Sequence, residues 1–175
     1  NRALYNRQMR KSTVLLGWSN KAHDGFVGHS YLGCWVNLGA LTTTSDLKNN
    51  YGAVRMPENG ELCDTGFVKV GSLLADHVKT AIGTLLGAGT VIGLGSNVFG
   101  AAGFAPRWIP PYAWGVGPGA QAYDWERFLA TAERVCRRRD WTLSPAERET
   151  LRRAFELSAQ QREGWLAEQK ATPHV

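Results

Sequence analysis

Histidine is the side chain whose proton is exchanged most readily near neutral pH, with an ordinary pKa of about 6.5. Three histidines of this chain stand in informative places: His23, His29 and His77. His23 and His29 belong to a polar stretch, Ser19 to Tyr31, inside a region that is otherwise repetitive, and His77 lies in a second repetitive stretch. A neutral imidazole in such a break is a candidate general base; the plainer reading is a histidine that caps loop backbone groups. His23, Asp24 and His29 also form a candidate metal set if copies of the chain face one another. They lack the tight His-x-His or His-x₃-His spacing, so the site reading carries no metal. Cys34, Cys63 and Cys136 are an odd number without a C-x-x-C pair, which points to packing residues in a reducing compartment and not to a disulfide framework or zinc. No G-x-G-x-x-G precedes a helix and no Walker motif occurs, so nothing cradles a nucleotide phosphate in the usual way.

The elements that must hold these residues follow from a six-residue period. In residues 68–103 the sixth positions are Val68, Leu74, Thr80, Leu86, Ile92 and Val98; the fifth places of the hexads are Ser72, Val78, Thr84, Thr90, Ser96 and Ala102. An upstream array repeats the pattern with Phe26, Leu32, Leu38 and Thr44, and its register breaks near 20–25. Six is neither the helical period of 3.6 nor the strand period of 2. It suits a chain that turns through a triangular coil, one flat side per hexad, with aliphatic residues inside and small residues at the corners. The expected fold is mainly β: a left-handed parallel β-helix over residues 1–103, with a projecting loop over 46–67 that contains a short hairpin. Residues 104–120, rich in proline and aromatics, are expected to leave the coils as an ordered strap. A two-helix appendage is expected over 121–170. Its first helix is capped by Asp124, and its second opens on the capping box Ser144-Pro145-Ala146-Glu147. The Arg137–Arg139 run reads as a solvated helix end that favours the dipole, in preference to an anion site.

Bulk properties bound the rest. The chain has 175 residues, 43% hydrophobic, with 20 glycines and a net charge of +5. There is no Gly-X-Y period, so collagen is excluded, and the apolar content excludes wholesale disorder. No run of 18 apolar residues occurs, so no membrane partner is expected. Residues 1–120 hold 10 basic and 6 acidic side chains and residues 121–175 hold 10 and 9; a nucleic-acid binder concentrates its charge, so none is expected here. A cytoplasmic location is the default. The chain begins at Asn1, and it reads as the C-terminal part of a longer protein.

Val36-Asn37-Leu38-Gly39-Ala40, followed by Thr42-Thr43-Thr44, together with Asp76-His77-Val78-Lys79-Thr80, resembles the bifunctional N-acetylglucosamine-1-phosphate uridyltransferase/glucosamine-1-phosphate N-acetyltransferase family. The likeness is greatest to sugar-1-phosphate nucleotidyltransferases with a C-terminal hexapeptide β-helix, and it covers roughly residues 11–103. It implies a transferase of nucleotide-sugar biosynthesis in which acetyl-CoA is co-substrate, an amino-sugar phosphate is the acceptor, and a homotrimer holds coenzyme A between adjacent prisms. Counting back without a gap from Asn37 places the family's histidine base on His23. Aligning on Ser30-Tyr31-Leu32-Gly33 places Tyr31 on the family's tyrosine and His29 one residue from the base, so the resemblance implies His23 as the first candidate for the base and His29 as the second. Asn37 matches in either case; Asp46 replaces a family asparagine. Lys48 and Arg55, then Lys11, are the cations nearest a sugar phosphate, and Lys79, Ile82 and Ser96 fall toward acetyl-CoA. The nucleotidyltransferase half, with its Mg²⁺, has no counterpart motif in these residues. The alternative reading is a non-catalytic trimerisation domain that supports such a half.

Overall fold

The computed structural model describes residues 4–5, 10–58 and 60–171, with side chains from residue 12 onward. It is mainly β, built from two-residue strands in parallel sheets, and it ends in three helices. The strands fall on three faces, an arrangement compatible with a β-helix. Face I stacks Val14–Leu15, Tyr31–Leu32, Leu73–Leu74, Val91–Ile92 and Trp108–Ile109 in parallel. Face II stacks Leu4–Tyr5, Asn20–Lys21, Asn37–Leu38, Lys79–Thr80, Asn97–Val98 and Ala113–Trp114. Face III pairs Arg10–Lys11 with Val27–Gly28 and Thr43–Thr44 with Leu85–Leu86, and a Leu85–Phe104 bridge extends it. Equivalent positions in successive coils are mostly 17 or 18 residues apart where no loop intervenes, as in Val14, Tyr31 and in Leu73, Val91, Trp108.

The hexad places the core. Leu32, Leu38, Leu74, Leu86, Ile92 and Val98 are at most 1% exposed. The small fifth-place residues Ser30, Thr42, Ser72, Thr90 and Ser96 are buried beside them. Several of their hydroxyls bond to backbone carbonyls at the corners, as Ser30 to Gly28 and Thr90 to Gly87, both at 2.8 Å. Two expected inward residues are not inward. Phe26 and Val68 are substantially exposed, and Val27 takes the buried place beside the first array. The inward series therefore runs Leu15, Lys21, Val27 and only then Leu32, so the register break is one five-residue side after Val27, not at 20–25. A lysine in an inward place disguised the continuity. Lys21 is 1% exposed, and its ammonium donates to the carbonyls of His23 and Asp24, the latter at 2.7 Å.

The projecting loop is present. Arg55–Glu58 and Glu61–Asp64 form its antiparallel hairpin, and a Leu47–Lys69 bridge closes its base. Residues 104–120 depart from expectation. Trp108–Ile109 and Ala113–Trp114 extend faces I and II as a further coil. Pro106, Pro110 and Pro111 sit outside the strand pairs, where a missing N–H costs no ladder bond. The antiparallel strand Gln121–Ala122 then ends face II.

The expected two-helix appendage is three helices: α1 Trp125–Arg137, α2 Pro145–Leu157 and α3 Ala159–Ala171. Asp124 caps α1, and the Ser144/Glu147 capping box opens α2, as the sequence predicts. The single helix read through Trp165 is interrupted at Ser158, whose hydroxyl donates to the Ala154 carbonyl. This corner lets α3 turn back onto the prism. Trp165 packs with the core of the coils, and its indole N–H donates to the Trp108 carbonyl at 3.0 Å. Among the described residues, no helix is long and apolar enough to cross a membrane.

Candidate functional site

The clearest chemical pairing lies at the corner between faces III and I, where the loop leaves the prism. His29 Nδ1 and Asp46 Oδ2 are 2.6 Å apart, with side chains 21% and 15% exposed. The two residues are 17 positions apart, one coil, so the coil period stacks them. His29 has φ of 46°, which turns its backbone sharply at the corner. Gly28 makes the approach possible. A Cβ there would lie 2.5 Å from Asp46 Oδ2, so only glycine lets the carboxylate reach the imidazole. With Nδ1–H donated to Asp46, the lone pair of the neutral ring resides on Nε2. That is the tautomer of a general base, with the ring held in orientation by the carboxylate.

The other sequence candidates divide among several places. His23 is exposed at the corner between faces II and III, away from His29, and its carbonyl is held by Lys21. Ile82 is 77% exposed at that same corner. Tyr31 stands outward on face I, next along the chain from His29 and Ser30. Lys48 Nζ donates to the Ala53 carbonyl at 3.0 Å within the loop, and Arg55 is exposed at the start of the hairpin. Lys11 pairs through its backbone with Gly28; its side chain lies outside the described residues. Asn37 and Lys79 are neighbours on face II, which lies opposite the corner of His29. Ser96 is fully buried and spends its hydroxyl on the Pro110 carbonyl at 2.7 Å.

Two features escaped sequence reasoning. The first is a cleft of about 550 Å³ beneath the loop, lined among others by Lys48, Asn49, Asn50, Phe104 and Arg107. The loop base stands between it and the coil of His29. Arg107 was hidden in the stretch read as a strap. The second is an aromatic column at the corner between faces I and II. Trp18, Trp35, His77 and Tyr112 occupy equivalent places in the coils, with Gly95 between the last two, and all four have φ near 60°. Trp18 stacks on Trp35 at 5.3 Å and Trp35 on His77 at 6.1 Å. His77 is therefore a packing residue. Burial, with the Lys79 charge nearby, pulls its pKa down to about 3, so it stays neutral. Among the described residues no three His, Cys, Asp or Glu side chains gather as a metal set.

Comparison with known proteins agrees with the resemblance in outline. No protein-family model matches the chain. The bifunctional sugar-1-phosphate nucleotidylyltransferase/acetyltransferase of Sulfurisphaera tokodaii is 28% identical over 92 residues, which are 53% of this chain and 23% of that protein. The matched part thus spans less than a quarter of the relative's length.

Proposed function

We propose that this chain is an acyltransferase domain of sugar-nucleotide metabolism, with a left-handed hexapeptide β-helix that moves an acetyl group from acetyl-CoA to an amino-sugar phosphate. The observation that carries this reading is the His29–Asp46 pair, set in a chain similar to a nucleotidylyltransferase/acetyltransferase. In the proposed reaction the sugar amine attacks the thioester carbonyl. His29 Nε2 takes the amine proton, the C–N bond forms, the C–S bond breaks, and coenzyme A leaves as the thiolate. Asp46 holds the ring; backbone N–H groups stabilise the oxyanion. Between the two histidine candidates, the carboxylate partner favours His29. The donor lies between prisms of a homotrimer.

Coenzyme A release from acetyl-CoA with glucosamine 1-phosphate tests the proposal on the wild type, His29→Ala, Asp46→Asn and His23→Ala. Loss of a general base lowers the rate by about 10²–10⁴-fold. That loss is expected for His29→Ala, a smaller one for Asp46→Asn, and none for His23→Ala. Wild-type protein that releases no coenzyme A with any amino-sugar phosphate sinks the reading.

A second reading has its own observation. The same pair ties the loop base to the coil before it, which a non-catalytic scaffold would also require. On that reading Asp46→Asn lowers the thermal unfolding midpoint and no acetyl transfer is found in any variant.

A further inference from the structure

Face II carries a second, separate pocket. It has a volume of about 200 Å³ and lies between the strands and the C-terminal end of α1, with Asn20, Asn37, Lys79, Arg138 and Arg139 in its lining. No Asp or Glu lines it. Among the described residues none of the three cations is in an ion pair; the ion pairs are elsewhere, at His29–Asp46, Arg148–Glu133 and Arg152–Glu156. Helix-end cations that merely answer the dipole point into solvent. Here Arg139 is half-buried and lines the pocket together with the more exposed Arg138, whereas Arg137 of the same run does not line it.

Lys79 is fixed in place, its Nζ donating to the His77 carbonyl at 3.0 Å, and burial lowers its pKa to about 8. A bound anion would reverse that penalty. Asn20 adds a second requirement. Its Nδ2 donates to Asn37 Oδ1 at 2.9 Å, while its Oδ1 is buried with no partner. A buried unpaired carbonyl oxygen is costly and calls for a donor. A hydroxyl carried by a bound anion would supply that donor. Its volume is below the usual range for whole cofactors, roughly 300–1,000 Å³, which excludes a nucleotide or coenzyme A and admits a phosphoryl group with a few carbons.

We propose that this pocket binds a small hydroxyl-bearing phosphomonoester, with the phosphoryl group on Lys79, Arg138 and Arg139 and the hydroxyl on Asn20. It stands on the face opposite the His29 corner and does not depend on the acyl-transfer reading. Calorimetric titration with glycerol 3-phosphate and with sulfate tests it. Trp18 and Trp35 also line the pocket, so their fluorescence gives a second readout. Saturable glycerol 3-phosphate binding is expected, at least tenfold tighter than sulfate. Lys79→Met and Arg139→Gln should each weaken it about tenfold or more, and His29→Ala should leave it unchanged. Arg139 is only partly buried, so its variant serves if Lys79→Met fails to fold. Absence of saturable binding to the wild type, sulfate binding as tight as glycerol 3-phosphate, or binding retained by Arg139→Gln overturns the proposal.

Discussion

At the corner between faces I and II, His77 lies parallel to Trp35 and edge-on to Phe128, 5.8 Å away, with its Nδ1 unpaired. The unfolded chain protonates this ring near its ordinary pKa of 6.5, whereas the folded chain resists protonation down to about 3. The folded pKa is lowered, so its stabilising contribution is complete above about pH 6.5. It is lost as the pH falls toward 3, at about 1.4 kcal/mol per pH unit. His77→Phe keeps a ring in the column and removes the proton site. Urea unfolding between pH 6.5 and 4 should show a shallower loss of stability in the variant than in the wild type; equal slopes would refute the assignment. Residue type alone does not separate His77 from His29. Both are histidines beside repetitive sequence, and the difference is that one has a carboxylate partner and the other is sealed among aromatic rings.

At the scale of elements, the column explains how α1 docks. Its fourth place is Gly95, with φ of 71°, and a Cβ there would sit 2.8 Å from Phe128 Cε2. Phe128 fills the space that this missing side chain leaves, packing edge-on against Tyr112 at 4.8 Å. Tyr112 in turn donates its hydroxyl to the Leu151 carbonyl of α2 at 2.7 Å. One glycine in the coils is thus the socket for the helical appendage. Phe128→Ala should cost about 3–5 kcal/mol, the usual range for a buried phenylalanine. Gly95→Val should be comparably harmful, because it combines a clash with a strained φ. Denaturant unfolding measures both, and a loss under 1 kcal/mol in Phe128→Ala would show that α1 is not anchored there. The hexads identified the coils from their period. They did not identify residues 104–117 as a further coil, because prolines and aromatics mask the period where the helices cover the outer surface. They did not reveal the socket either, since Gly95 reads as one more corner residue.

For the whole molecule, α3 covers the end of the stacked coils. Trp165 is 6% exposed and shares the prism core with Ile109, Ala113, Val116 and Ala120. An open coil end presents unpaired strands and an apolar core, and repeat folds need such a cover. Trp165→Ala should therefore increase binding of an apolar dye and promote self-association, read by light scattering; an unchanged mass and dye signal would argue that the cover is dispensable. The homotrimer proposed with the acyl-transfer reading predicts a solution mass about three times 19.2 kDa for the wild type.

From sequence alone came the period, the faces of the prism, the loop at 46–67, the helix caps, and the short set of residues with useful chemistry. Those features are local: a hexad or a capping box repeats within a few residues and needs no knowledge of distant contacts. Partnership was decided only by the folded chain. The coil period stacks residues about 17 apart, which brings Asp46 to His29. The return of α1 onto face II brings Arg139 near Lys79, and the turn at Ser158 brings Trp165 onto the coils. Such pairings depend on where separate segments pack, and no local pattern carries that information.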